Sequence, residues 1–138
     1  MAAPTPVEKT FWDGHRGMTR WYAAWADGTQ HADRVVVDVS ALSPAPTAVK
    51  VRSIDMVLNG DLQVDLEFDA TTDEVIDRFI GQTDVTYQFL RDYTDGPNVG
   101  YIPDQSAAGF AGDIMLTTTS AASGDEVNLL IIYEKASE

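Results

Sequence analysis

Acidic side chains at alternating positions are the first candidates for chemistry in this chain. Four of them share one predicted strand face: Asp61, Asp65, Glu67 and Asp69. Neighbours two residues apart on a strand lie roughly 7 Å from each other, a separation that the carboxyl groups of an inverting glycosidase can use. Catalytic carboxyl groups also need an apolar or crowded setting that separates their pKa values. We therefore interpret the four as the solvated face of an amphipathic strand, and we predict no catalytic residue.

The two histidines, His15 and His31, are the chain's only imidazoles. Neither belongs to an H-x-x-x-H or H-x-H pattern, the spacings that bring two imidazoles together on a helix or a strand. Their neighbours are typical of an irregular segment and of a turn, so we expect both side chains to be exposed. The chain has no cysteine, which removes disulfides, thiolate nucleophiles and cysteine-bound metals. We predict no bound metal and no cofactor.

The stretch from residue 91 to 111 contains glycines and prolines but no periodic pattern. Its oxygen-bearing side chains include Asp92, Asp95, Asn98 and Asp104. Calcium binds six to eight oxygens, but this spacing does not match an EF-hand, and turns favour Asp and Asn for backbone reasons alone. We prefer the turn interpretation, and the sequence leaves calcium binding open. A loop of about 20 residues is typical of a binding surface or of an arm between subunits.

Aromatic residues are concentrated in the first fifth of the chain. Trp21 and Trp25 lie four residues apart and share a face in either a strand or a helix, so we expect them in the core. Residues 1–17 lack periodicity, and their prolines favour extended backbone, so we interpret them as an extended N-terminal arm. Trp and Arg are frequent interface anchors. We expect partner contacts on the arm and on the 91–111 loop, at Phe11, Trp12, Arg16, Tyr93 and Tyr101.

Asn59-Gly60 lies between two stretches of alternating apolar and polar residues, and a two-residue type I′ hairpin favours this pair. We therefore predict a hairpin with strands over about residues 49–58 and 61–69. Its register pairs Arg52 with Glu67 and Lys50 with Asp69, which places opposite charges across from each other. We expect the other face to be buried; its apolar residues are Val51, Val57, Leu62, Val64, Leu66 and Phe68.

The remaining pattern predicts an all-β domain over residues 18–138. Further strands are expected at about 34–39, 84–90, 113–119 and 126–135. The last should lie near the centre of a sheet, because Leu129 to Ile132 is apolar on both faces. Residues 71–81 fit a capped helix and a short strand nearly equally well, and the two stay open. About seven to eight short strands predict an antiparallel β-sandwich of jelly-roll or immunoglobulin-like type.

Composition limits the partners. The 138 residues contain nine Lys and Arg against 22 Asp and Glu, a formal net charge of −13. Such a field repels phosphate backbones and anionic lipid, so we expect no nucleic-acid and no membrane partner. A basic protein surface is a better match. The N-terminal residues lack the basic and apolar regions of a secretory signal, so we expect synthesis in a cytoplasm without an export route.

Several strand-and-turn segments resemble those of small virion proteins of tailed bacteriophages. They are Asp27-Gly28-Thr29, the sequence Val-Val-Val-Asp-Val-Ser-Ala-Leu at 35–42, Leu66 to Thr71, Gly109 to Thr118, and the closing strand with Tyr133 and Lys135. Together they span about residues 20–135. The resemblance implies a non-enzymatic structural protein that decorates or cements the capsid exterior. Its implied partners are the major capsid protein and neighbouring decoration subunits, in a homo-oligomer such as a trimer.

Three other functions fit the same residues. One is a carbohydrate-binding β-sandwich module, because such modules stack sugar rings on exposed aromatic side chains. Another is a different position in the virion, such as the neck or the tail. The third is an inverting glycoside-type enzyme that uses the carboxylates of the 61–69 strand.

Overall fold

The computed structural model describes residues 3–93 and 100–136, and nine strands lie within those ranges. The strands are β1 (Val7–Trp12), β2 (Arg16–Ala24), β3 (Arg34–Val37), β4 (Val49–Asn59), β5 (Gln63–Phe68), β6 (Glu74–Ile80), β7 (Thr86–Asp92), β8 (Ile114–Thr119) and β9 (Glu126–Lys135). A 3₁₀ turn over Val39–Ala41 follows β3. In the described ranges, no helix has the length and apolar character needed to cross a membrane.

The strands form two antiparallel sheets. One has five strands in the order β1-β2-β9-β4-β7, and the other has four in the order β3-β8-β5-β6. The predicted antiparallel β-sandwich is confirmed, with slightly more strands than the sequence indicates. The segment at 71–81 that fits both a helix and a strand contains strand β6, which pairs with β5.

The core lies between the sheets and follows the alternation of each strand. In β9, the inward residues Val127, Leu129, Ile131 and Tyr133 are fully buried. Burying one such large apolar side chain stabilises the fold by about 1.5–3 kcal/mol. β9 lies between β2 and β4, so its predicted central position is confirmed. The predicted burial of Trp21 and Trp25 is also confirmed.

The predicted hairpin at Asn59-Gly60 is wrong in its pairing. β4 pairs with β7 and β9, whereas β5 pairs with β6 and β8, so the turn carries the chain from one sheet to the other. Arg52 and Glu67 therefore lie on different sheets, and Asp69, just after β5, does not pair with Lys50 on β4. The reason is that an alternating strand buries the same residues whether it pairs with its neighbour or faces it across a core. The turn signal itself is real, since Gly60 has a φ of +113°.

A bulge changes which residues of β4 are buried. The register with β9 shifts between Val51 and Ser53. One extra residue exchanges the two faces of a strand from that point on. Val51 is therefore buried, as expected, but Val57 points outward and Met56 takes the core position. The expectation that Val57 shares the buried face is corrected.

The predicted arm over residues 1–17 is part of the five-stranded sheet from Val7 onward. β1 pairs with β2 along its whole length, from Val7 with Tyr22 to Trp12 with Gly17. The ring of Trp12 stacks on Tyr133, with centroids 6.1 Å apart. A Cβ at Gly17 would overlap both rings, so the glycine makes the space for this stack. The sandwich therefore begins before residue 18.

Candidate functional site

Glu134 is the most enclosed charged group among the described residues. It lies on the outer side of β9, with only 8% of its side chain exposed. Lys50 Nζ approaches Glu134 Oε1 at 3.1 Å, and Arg52 Nη1 approaches Oε2 at 3.0 Å. Arg16 Nε and His15 Nε2 lie farther away, at 3.8 and 4.0 Å. Arg52 and Lys50, which the sequence pairs with Glu67 and Asp69, thus contact Glu134 instead.

This arrangement is a structural ion-pair network. Burial raises the pKa of Glu134, but the hydrogen bonds from Lys50 and Arg52 outweigh it and hold that pKa below its usual value. A carboxylate that stays ionised and fully paired is poorly suited to accept or donate a proton near neutral pH. Sequence reasoning missed Glu134, because its partners come from β2 and β4, far away in the chain.

The acidic strand face has a different arrangement from the one expected. Asp65 forms two hydrogen bonds with Arg78 on β6, at 2.8 and 3.1 Å. Glu67 lies instead in a cluster with Asp33 and Asp73, where the nearest carboxylate oxygens all lie within 4.8 Å of one another. We call these three the acidic cluster. Asp33 and Asp73 come from loops that pattern analysis does not connect to β5.

The acidic cluster concentrates negative charge on the outer side of the four-stranded sheet. Burial raises the pKa of Glu67, and the nearby Asp73 and Asp33 raise it further, against a hydrogen bond from Thr117. The Thr117 hydroxyl lies 3.2 Å from both Asp33 Oδ1 and Glu67 Oε1, so its single proton serves one of them at a time. A cation or a basic side chain is the chemistry that relieves this repulsion.

The predicted exposure of His31 is wrong. Its ring lies between Trp21 and Trp25, with centroid separations of 5.4 and 5.6 Å, and the residue is buried. The imidazole donates a hydrogen bond to the carbonyl of Pro4, whereas Nε2 has no partner among the described residues. Burial lowers the pKa of His31, and the charge of Arg34 lowers it further. The two histidines lie apart, since His15 is beside Glu134.

Two of the expected interface residues, Tyr93 and Tyr101, belong to an internal network at one edge of the sandwich. Tyr93 donates to Asp77 at 2.7 Å, and Tyr101 donates to Glu74 at 2.8 Å. Burial and the bond to Glu74 raise the pKa of Tyr101 to about 12. Their rings meet edge to face, 5.9 Å apart. These contacts fasten the described part of the long loop to β6.

The other expected anchors, Phe11, Trp12 and Arg16, lie on or beside β1. Phe11 is 58% exposed and points outward from the five-stranded sheet. Trp12 is half-buried, and its Nε1 donates to the carbonyl of Pro44 at 3.0 Å. Arg16 is exposed beside Glu134. Phe11 and Arg16 are therefore accessible, whereas most of the Trp12 ring packs against the protein.

The structure brings none of the suggested calcium ligands together among the residues that it describes. Asp95 and Asn98 lie outside the described residues. Asp104 accepts hydrogen bonds from the backbone and the hydroxyl of Ser106, at 3.1 and 2.7 Å, which is the turn chemistry that the sequence favours. Asp92 lies in β7, on the five-stranded sheet.

Comparisons with known proteins do not identify a family for this chain. No protein-family model matches this chain, and no curated protein matches it. Among solved structures, the chain is similar to one from a study of Bacillus endospore appendages, described as a novel family of disulfide-linked pili. The identity is 12%, the alignment covers 99% of this chain and 96% of the other, and the TM-score is 0.35. A TM-score this low supports no conclusion about fold or function.

Proposed function

We propose that this chain is a non-enzymatic structural protein of a tailed-phage virion, which decorates or cements the capsid exterior by binding the major capsid protein. The proposal starts from the sequence resemblance over about residues 20–135. The observation that carries it further is the acidic cluster of Asp33, Glu67 and Asp73 on the outer side of one sheet. A partly buried cluster of like charge is matched by a basic protein surface, and charge complementarity speeds and orients such docking.

The rest of the chain is compatible with an attachment role. A net charge of −13 keeps a protein soluble while many copies accumulate before they bind. Arg78 pairs with Asp65, whereas Glu67 accepts a hydrogen bond from the neutral hydroxyl of Thr117. A basic side chain from the shell would therefore find acceptors there.

Sedimentation with phage heads tests the proposal. Heads that lack this protein, from the phage that encodes it, are mixed with the purified chain and pelleted. We expect saturable binding that weakens at high salt, because screening reduces attraction between surface charges. Asp33→Asn and Glu67→Gln should each weaken the binding more than Asp61→Asn, which removes the same charge in the turn before β5.

Failure to bind heads under every salt condition would overturn the proposal. Binding to an immobilised polysaccharide in place of heads would favour the carbohydrate-binding alternative. That alternative relies on exposed aromatic rings, whereas Trp21 and Trp25 are buried and Trp12 stacks on Tyr133. Binding to tails in place of heads would favour another position in the virion.

A further inference from the structure

The outer face of the five-stranded sheet, the side that points away from the core, carries a regular row of side chains. The strand registers place Lys9, Arg20, Leu130, Asp55 and Leu90 side by side on β1, β2, β9, β4 and β7. The row therefore runs from basic through apolar to acidic, and ends on an exposed leucine.

The adjacent row runs from apolar side chains through a serine to an acidic residue. It contains Phe11, Met18, Ile132, Ser53 and Asp92 on the same five strands. Four apolar side chains of the two rows are well exposed: Phe11 at 58%, Met18 at 40%, Leu90 at 67% and Ile132 at 37%. Neighbouring exposed apolar groups rimmed by charges mark a protein interaction site.

Within these two rows the charges are separated, whereas the bases of the next row, Arg16, Lys50 and Arg52, gather around Glu134. Lys9 and Arg20 lie directly across from each other on β1 and β2, and like charges in that position destabilise a sheet. Asp55 and Asp92 lie on the other side of β9. Asp55 accepts a hydrogen bond from Gln88 at 3.1 Å and retains lone pairs for a further donor. Within these two rows, the β1–β2 half of the face is thus complementary in charge to the β4–β7 half.

We propose that this face docks against the same face of a second copy of this chain, with a two-fold axis parallel to β9. The inference is independent of the proposed virion role. Such an axis lays the β1–β2 half of one copy over the β4–β7 half of the other, so Arg20 of each copy faces Asp55 of its partner. An axis perpendicular to the strands would instead place basic residues on basic residues. Charge therefore selects one of the two arrangements.

Shape supports the same arrangement. A groove of about 590 Å³ lies along β9, β4 and β7, where the small side chain of Ser53 is flanked by Leu130, Ile132 and Leu90. The two-fold axis places the partner's Met18 over Ser53, and a flexible thioether fills irregular gaps of this kind well. Leu130 and Ile132 lie on the axis and contact their own copies.

The size of the face sets the strength of the dimer. Five strands spaced about 4.8 Å apart and six to eleven residues long present roughly 600–700 Å² per copy, near the lower end for specific interfaces. Packed sheets cross at about 30°, but Arg20 and Asp55 are one strand from the axis and so remain opposed. We expect a reversible dimer with a dissociation constant of about 1–100 μM.

Sedimentation equilibrium with charge variants tests this dimer. Arg20→Glu and Asp55→Arg should each weaken dimerisation by at least about tenfold, because each creates like-charge contacts across the interface. The double variant Arg20→Glu/Asp55→Arg should restore it to within about threefold of the original. Arg34→Glu and Asp61→Arg change the same charges outside the face and should leave dimerisation unchanged.

NMR of the unmodified protein gives a test that does not depend on any variant folding. Backbone amide shifts at Leu130 and Ile132 should move with concentration, whereas those of β5 should stay constant. A chain that remains monomeric to about 1 mM would overturn the proposal. Dimerisation that neither single variant weakens would also overturn it. So would a double variant in which dimerisation is not restored.

Discussion

Gly60 lies directly against Asp125 at the corner where the chain passes from one sheet to the other. A Cβ on Gly60 would overlap the Asp125 carboxylate, and the φ of Gly60 is +113°. That carboxylate is held in place, because it accepts a hydrogen bond from the backbone of Ala122 at 2.9 Å. The corner therefore requires glycine both for its backbone conformation and for the absence of a side chain.

Gly60→Ala should lower the free energy of unfolding by about 2–3 kcal/mol, since backbone strain adds to the steric overlap. Gly124→Ala is the matched control. Gly124 also has a positive φ, of +92°, but nothing lies within 4 Å of its Cβ position. We expect that control to cost about 1 kcal/mol in urea denaturation. Equal losses at the two positions would contradict the role given to Asp125.

Glu134→Gln should destabilise the domain by about 2–3 kcal/mol, because it leaves Lys50 and Arg52 without their shared counter-ion. Asp65→Asn, which breaks a pair with the more exposed Arg78, should cost less. The pKa of Glu134 lies below its ordinary value of 4.5. The contribution of the Glu134 carboxylate to the free energy of unfolding is therefore present above about pH 4.5. It is lost as the pH falls through the folded-state pKa. If the Glu134→Gln protein lost stability below pH 4.5 as steeply as the original protein, this assignment would be contradicted.

His31 should make the protein less stable in mild acid. Burial lowers its pKa from the ordinary value of 6.5, so just below pH 6.5 the unfolded chain binds more protons than the folded one. The free energy of unfolding should therefore fall as the pH drops below 6.5, and this contribution should level off below the folded-state pKa. His31→Phe keeps an aromatic ring between Trp21 and Trp25 and should flatten that decline. Identical pH profiles for the two proteins would show that His31 titrates normally.

Trp12→Ala should lower the free energy of unfolding by about 2 kcal/mol, less than for a fully buried tryptophan. The loss comes from its stack on Tyr133 and its hydrogen bond to Pro44. The neighbouring Phe11→Ala removes an exposed ring and should change stability by less than about 0.5 kcal/mol at low protein concentration. Thermal unfolding of the two variants side by side would decide whether β1 belongs to the sheet or acts as a separate arm.

The sequence predicts the fold class well, because buried positions produce a local pattern of apolar residues. The apolar stretch from Leu129 to Ile132 correctly identifies the central strand, and the spacing of Trp21 and Trp25 correctly identifies core residues. The local sequence does not indicate which strands pair with each other. The alternation on either side of Asn59-Gly60 fits a hairpin and a corner between sheets equally well, and the apparent charge pairs of Arg52 and Lys50 are coincidental.

The candidate sites were harder to predict, because their members meet only through the topology. The alternating pattern places Glu67 on its strand, but Asp33 and Asp73 approach it from separate loops. His31 follows a turn-rich sequence that indicates exposure, and nothing local reveals that two tryptophan rings enclose it. The outer face of the five-stranded sheet likewise depends on a register that the sequence alone did not supply.

Cryo-electron microscopy of tailed-phage particles, from any phage whose genome proves to contain this sequence, is the most direct test of the proposed virion role. We predict density for the nine-stranded sandwich on the outside of the capsid shell, with the acidic cluster of Asp33, Glu67 and Asp73 turned toward basic side chains of the major capsid protein. Density for the sandwich in the neck or tail, or its absence from the particle, would contradict the proposal.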